Sequence, residues 1–235
     1  MSTSALYSLT VLIWGSSWLA IHFQIGVVPP EIAIVYRFVL ASALLALWCL
    51  VRGTSLRIGL HHHPYLALLG FSLFSLNYLL FYYAAFDLAT GLLAVIFSTM
   101  TVMNIFNSAL FLKRKIQKKT VLAVVFGLTG MGLVFWPEMT TSGSQAAGAI
   151  GMSLVATYLA SIGNIVSARN QKHGLSVAPA NAIGMAYGAL FLLAFSTGSG
   201  TPFVIDISIS FISSLLFLAL FASAIAFGCY LTLVG

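Results

Sequence analysis

The chain has 235 residues, 60% of them hydrophobic and 6% charged, with a formal net charge of +6. So apolar a chain cannot clothe a water-facing surface, which excludes a soluble domain and leaves a membrane protein in contact with the lipid bilayer. With one exception the basic residues stand in short connections between apolar runs, where they orient a chain in the bilayer, so nucleic acid is excluded as a partner.

A helix needs about 20 mainly apolar residues to cross the hydrocarbon. Hydropathy and turn signals predict eight spans, over Ala5–Val27, Ile32–Val51, Tyr65–Phe86, Thr90–Leu112, Thr120–Trp136, Ala146–Ala168, Ala178–Phe195 and Ser208–Leu233. The expected fold class is an all-α polytopic membrane protein. All six prolines fall in connections or at helix ends, which predicts largely unbroken helices.

The first span opens "MSTSALYSLTVLIWGSSWLAIHF" and lacks the basic leader of a cleaved signal, so it reads as a retained helix. Trp14, Trp18 and His22 follow one another every fourth residue and form one stripe. An aromatic face can hold a cationic or aromatic solute and His22 can carry a proton. The plainer reading makes the tryptophans packing residues and His22 an interface residue. In the second span Arg37 lies six residues beyond Glu31, roughly 9 Å from the helix end at about 1.5 Å per residue. A side chain at that depth can snorkel. Its expected place is an outer polar network with Asp87 or Glu31, and the alternative is a cavity anchor for a solute carboxylate or phosphate.

The third span offers Asn77 and Phe81, with Tyr78 and Tyr82 one position round, and the fourth offers Asn104 and Asn107. Amides in lipid must find partners, so they face protein or a cavity. Tyr158 and Asn164 in the sixth span are candidates of the same kind. "HHHP", from His61 to Pro64, holds three adjacent histidines that cannot all reach one ion from regular structure, so neither a metal nor a cofactor is expected. No acid or nucleophile pairs with them as an enzyme would require. "GMAYG" sets Gly184 and Gly188 at the spacing of a close helix contact, and Cys49 and Cys229 read as apolar packing residues inside spans.

Nine of the ten basic residues follow the second, fourth and sixth spans, in "KRKIQKK" (113–119) and at Arg52, Arg57, Arg169 and Lys172. The positive-inside rule puts those connections, and the N-terminus, in the cytoplasm. Glu31, Asp87, Glu138 and Asp206 fall on the other side. The absence of an acid near a midplane disfavours proton-coupled export of cations, and no nucleotide-binding motif supplies ATP drive.

The chain also aligns with itself. Leu9 corresponds to Leu154 at a lag of 145, Pro30 to Pro179 at 149, and Phe74 and Tyr83 to Phe221 and Tyr230 at 147. A repeat of five helices is odd, so its second copy is inverted in the membrane, as in secondary transporters. The expected organisation is a first repeat over 1–137 and a second over 146–235 that ends two helices short of the first.

"LIWGSSWLAIHF", "PPEIAIVYRFVLASALLAL" and "YLLFYYAAFDLATGLLAVIFSTMTVMNIFNSALFLKRKIQKKTVLAVVFGLTGMGLVF" together resemble the EamA-type carriers of the drug/metabolite transporter superfamily, which includes amino-acid exporters. The sequence departs from that pattern at "STMTVMN", where a proline is common, and at "LKRKI", where a glutamate often closes the helix. The resemblance implies ten helices in two inverted repeats, a central cavity and alternating access. It also implies a cavity lined by homologous helices, with Asn77 and Asn104 as candidate solute contacts. The function expected is a secondary transporter of the bacterial inner membrane, exporting small amphipathic metabolites such as amino acids. With two helices missing, a second copy or a partner supplying them is implied. The alternative is a truncated, non-transporting membrane subunit.

Overall fold

The computed structural model describes residues 2–26, 28–113, 116, 118–141 and 143–234, and every regular element among them is helical. Eight spans follow one another: Thr3–His22, Pro30–Val51, Leu60–Ala84, Thr90–Leu112, Lys118–Thr141, Gly143–Lys172, Val177–Gly198 and Ile209–Leu233. Seven of these carry a stretch long and apolar enough to cross a membrane, and the fifth holds the shorter apolar stretch Val121–Val134. In lipid a helix satisfies its backbone groups from within its own segment, so runs of this composition fold as an all-α polytopic membrane protein.

Local chemistry sets the span ends. Ser2 caps the first span, its side chain accepting from the Ala5 N–H at 3.3 Å, and Ser208 caps the eighth, accepting from the Phe211 N–H at 3.3 Å. Pro30 occupies the first helical position of the second span, where no N–H is needed. The first span stops at His22, short of Val27, because the chain turns through Gly26 at φ 145°. Gln24, just past the helix, donates instead to Ser214 Oγ at 2.6 Å and the Phe211 carbonyl at 3.1 Å.

Three spans are interrupted, contrary to the expectation from proline placement. The third divides into His63–Leu73 and Leu76–Ala84, with Ser75 at φ −135° and ψ −90°. The fourth divides into Thr90–Ser98 and Met100–Leu112, and the Thr99 hydroxyl bonds back to the Ile96 carbonyl at 2.6 Å. The eighth widens into a π-helical turn over Leu218–Ile225. Back-bonding hydroxyls and π turns kink helices without proline. The fifth span differs too: its helix runs through Pro137 to Thr141.

Arg52, Arg57 and Lys113 in the connections after the second and fourth spans, Lys119 in the first turn of the fifth, and Arg169 and Lys172 in the last turn of the sixth define a basic end of the bundle. Glu31, Asp87 and Asp206 stand at the opposite, acidic end. The side chains of Arg114, Lys115, Lys118 and Glu138 lie outside the described residues.

The second span lies along the seventh, the third against the sixth and seventh, the fourth against the sixth, and the first against the eighth. Small residues permit the tightest crossings. A Cβ added at Gly70 would meet the Gly184 carbonyl and come within 2.8 Å of the Gly188 nitrogen, and one at Gly163 would lie 2.6 Å from Leu73 Cβ. Helices in lipid gain stability from such close approach, because no hydrophobic drive separates lipid tails from leucines. The Gly184 and Gly188 spacing thus serves the crossing of the third and seventh spans.

Candidate functional site

A cavity of about 290 Å³ opens among the first, second, third, fourth and eighth spans. Its walls belong to the halves nearer the acidic end. Ile21, Asn77, Phe81, Gly91 and Ala94 lie in those halves, and Trp14 and Phe227 form the floor. Trp14 and Trp18, one turn apart, line it, whereas His22, the third member of the stripe, is exposed outside it.

The aromatic walls are held edge to face. Trp14 meets Phe227 at 5.0 Å between ring centroids, and Trp18 meets Phe81 at 5.5 Å and Phe97 at 5.8 Å. These are favourable geometries for paired rings. The Trp14 indole N–H donates to the Ala222 carbonyl at 3.1 Å. Ala222 sits in the π turn, where the widened backbone ladder leaves carbonyls open to side chains.

Arg37 also lines the cavity and is 1% exposed. Its Nε donates to Ser223 Oγ at 2.9 Å, Nη2 to the Tyr78 hydroxyl at 3.4 Å, and the guanidinium lies 4.4 Å from the centre of the Tyr78 ring. The Tyr82 hydroxyl stands beside the guanidinium, and Asn77 Oδ1 in the same lining has no hydrogen-bond partner. This corrects the expected outer network. Glu31 instead accepts from the Tyr83 hydroxyl at 2.7 Å, and Asp87 is exposed beyond the third span. Depth was legible from the spacing, but direction was overlooked. Residues six apart on a helix point about 120° away from each other, whereas Arg37 shares a buried stripe with Ala33, Ala41, Leu45 and Cys49.

Of the ten residues expected at a solute site, Trp14, Trp18, Asn77, Tyr78 and Phe81 come together here. Tyr82 is buried close by, beside Arg37, but does not line the cavity. Asn104 and Asn164 lie nearer the basic end, where both donate to the Tyr230 hydroxyl, at 3.3 and 3.0 Å, and Asn164 also donates to Asn104 Oδ1 at 3.2 Å. Asn107 donates to Ser161 at 2.8 Å. His22 and Tyr158 are exposed, away from the cavity. Phe97, Phe227 and Tyr230 were overlooked.

A second hollow of about 680 Å³ lies among the first, second, seventh and eighth spans, but Leu6, Leu9, Leu44, Trp48 and their neighbours wall it with apolar groups. It offers lipid tails a groove and no convergent polar groups, which is what marks a solute site.

An aromatic cavity between broken helices, inside a bundle of membrane spans, defines a transporter-like membrane protein. The pattern of the EamA-like transporter family matches residues 2–136, so the chain belongs to that family, within the drug/metabolite transporters. It is 25% identical over 233 residues to protein PagO of Salmonella typhimurium, covering 99% of this chain and 76% of PagO. It is also 28% identical over 171 residues to an uncharacterized transporter of Clostridium kluyveri, covering 71% of this chain and 54% of that relative. A protein of known crystal structure, 16% identical, shares the fold at a TM-score of 0.75 over 98% of this chain and 78% of its own. The chain is an integral membrane transporter, and its bacterial relatives fit an inner-membrane location.

Proposed function

We propose that the chain is a secondary carrier that exports small amphipathic metabolites, amino acids or related solutes, by alternating access. The observation that carries this reading is the meeting of the interrupted third, fourth and eighth spans at one aromatic cavity. Discontinuous helices around a buried site are the usual machinery of secondary transport. A cavity of about 290 Å³ falls at the small end of ligand pockets, which suits a metabolite.

The packing supports two inverted repeats, over 1–137 and 146–235. Exchanging first with sixth, second with seventh and third with eighth carries the second-on-seventh contact onto itself, and the third-on-sixth contact onto eighth-on-first. Counterflow of labelled norleucine in proteoliposomes tests the carrier. Saturable exchange is expected, and Trp14→Ala or Asn77→Ala should reduce it about tenfold or more, the size of a lost hydrogen bond or ring contact, at unchanged membrane yield. Full exchange by both variants would remove the cavity as the site.

A second reading, a non-transporting assembly subunit, draws on the first span. Its Val11, Leu12 and Leu19 are exposed where, by that same exchange, its counterpart the sixth span is covered by the fourth. No exchange from folded protein, restored by adding a two-helix partner, would favour it.

A further inference from the structure

We propose that Arg37 is a receptor for a carboxylate, so that the solutes of this cavity are acids or zwitterions. The inference rests on the cavity reading above and names its solute class. Three observations on one side chain converge. Arg37 is 1% exposed, it lines the cavity, and its guanidinium is met by neutral groups, Nε on Ser223 and Nη2 on Tyr78, with the Tyr82 hydroxyl beside it.

No described carboxylate answers this charge. Glu31 is engaged by Tyr83, Asp206 accepts from the N–H and hydroxyl of Ser208, and Asp87 stands exposed in a connection. A buried charge is retained when something pairs with it, and an ionisable group within a membrane marks a solute or ion path. The two anchored nitrogens fix the guanidinium in the cavity lining, its charge met there only by neutral groups. A carboxylate there makes a charge-assisted hydrogen bond and neutralises the site.

Asn77 Oδ1, an unpartnered atom of the lining, is an acceptor. It complements the ammonium of a zwitterion. The aromatic walls of Trp14, Trp18, Phe81 and Phe97 take the apolar part of the solute.

The test uses the full chain, purified, with Trp48→Phe and Trp136→Phe so that fluorescence reports Trp14 and Trp18. Hexanoate, hexanamide, hexylamine and norleucine are titrated separately. Hexanoate and norleucine should give saturable changes, with hexanamide and hexylamine at least tenfold weaker. Arg37→Gln should weaken hexanoate about ten- to a hundredfold, the range of a hydrogen bond to a charged group, and Arg37→Lys should recover part of the loss. Asn77→Ala should weaken norleucine and leave hexanoate within about twofold. Equal half-saturation by hexanoate and hexanamide overturns the proposal on residue 37 as it stands, even if Arg37→Gln does not fold. So does an absence of saturable carboxylate binding. Counterflow separates this from the carrier reading. Carboxylate binding without exchange sinks the carrier and keeps the receptor, whereas exchange of hexanamide as fast as hexanoate sinks the receptor and keeps the carrier.

Discussion

Gly188 faces the broken turn of the third span. A Cβ there would lie 2.7 Å from the Phe74 carbonyl oxygen and 2.8 Å from the Phe74 Cβ, and neither atom belongs to a flexible chain end. Gly188→Val should therefore push the seventh span off the third and cost about 1–3 kcal/mol or more of stability, the usual penalty of overpacking. Gly132→Ala, with nothing within 4 Å of its added Cβ, is the control and should be neutral. Thermal unfolding in detergent reads both, and equal midpoints would show that the crossing is looser than its geometry. Single residues were legible where a period decided them. Trp14 and Trp18 follow from spacing by four, and the Gly184–Gly188 pair from its motif. Between the two readings of Arg37, charge and depth do not decide, whereas the small size and burial of Ala33 and Ala41 mark an inward stripe.

The elements were legible in extent and not in continuity. Apolar runs fix where a span exists, so the fourth span matches its expected Thr90–Leu112 and the eighth differs by a residue. Breaks at Phe74–Ser75, Thr99 and Leu218–Ile225 carry no proline. The break at Thr99 carries a local hydroxyl bond back to Ile96, whereas the π turn offers acceptors across the bundle to Trp14 and Arg37. Between the cavity and the basic end, Tyr230 ties the fourth and sixth spans to the eighth through Asn104 and Asn164. Tyr230→Phe keeps the ring and deletes the shared acceptor, leaving the Asn104 amide without one at about 1–3 kcal/mol, while Asn164 keeps Asn104 Oδ1 and Met100 Sδ. The cluster should loosen. In a background with Cys49→Ala and Cys229→Ala, thiol labelling of Ser108→Cys, one turn nearer the basic end than Asn104, should rise severalfold with Tyr230→Phe. An unchanged rate would mean that aromatic packing on Trp14, 4.7 Å away between ring centroids, holds the cluster without the hydroxyl.

For the whole molecule, the cavity lies in the acidic-end half while the Asn104–Asn164–Tyr230 cluster ties the spans together nearer the basic end. A carrier built of two rocking units passes solute by reversing that arrangement. A solute shifts the balance only by binding the two states unequally. Gly91 and Ser108 report the two ends from a single span, on either side of the break at Thr99. An added side chain at Gly91 meets nothing within 4 Å, so Gly91→Cys should fold. In the same cysteine-free background, saturating norleucine should slow labelling of Gly91→Cys and speed labelling of Ser108→Cys. The opposite signs are the content of alternating access, because simple occlusion by bound solute protects Gly91 and leaves Ser108 alone. Protection at Gly91 with Ser108 unmoved would therefore identify a binding protein with a fixed cavity, sinking the carrier mechanism while leaving its solute site standing.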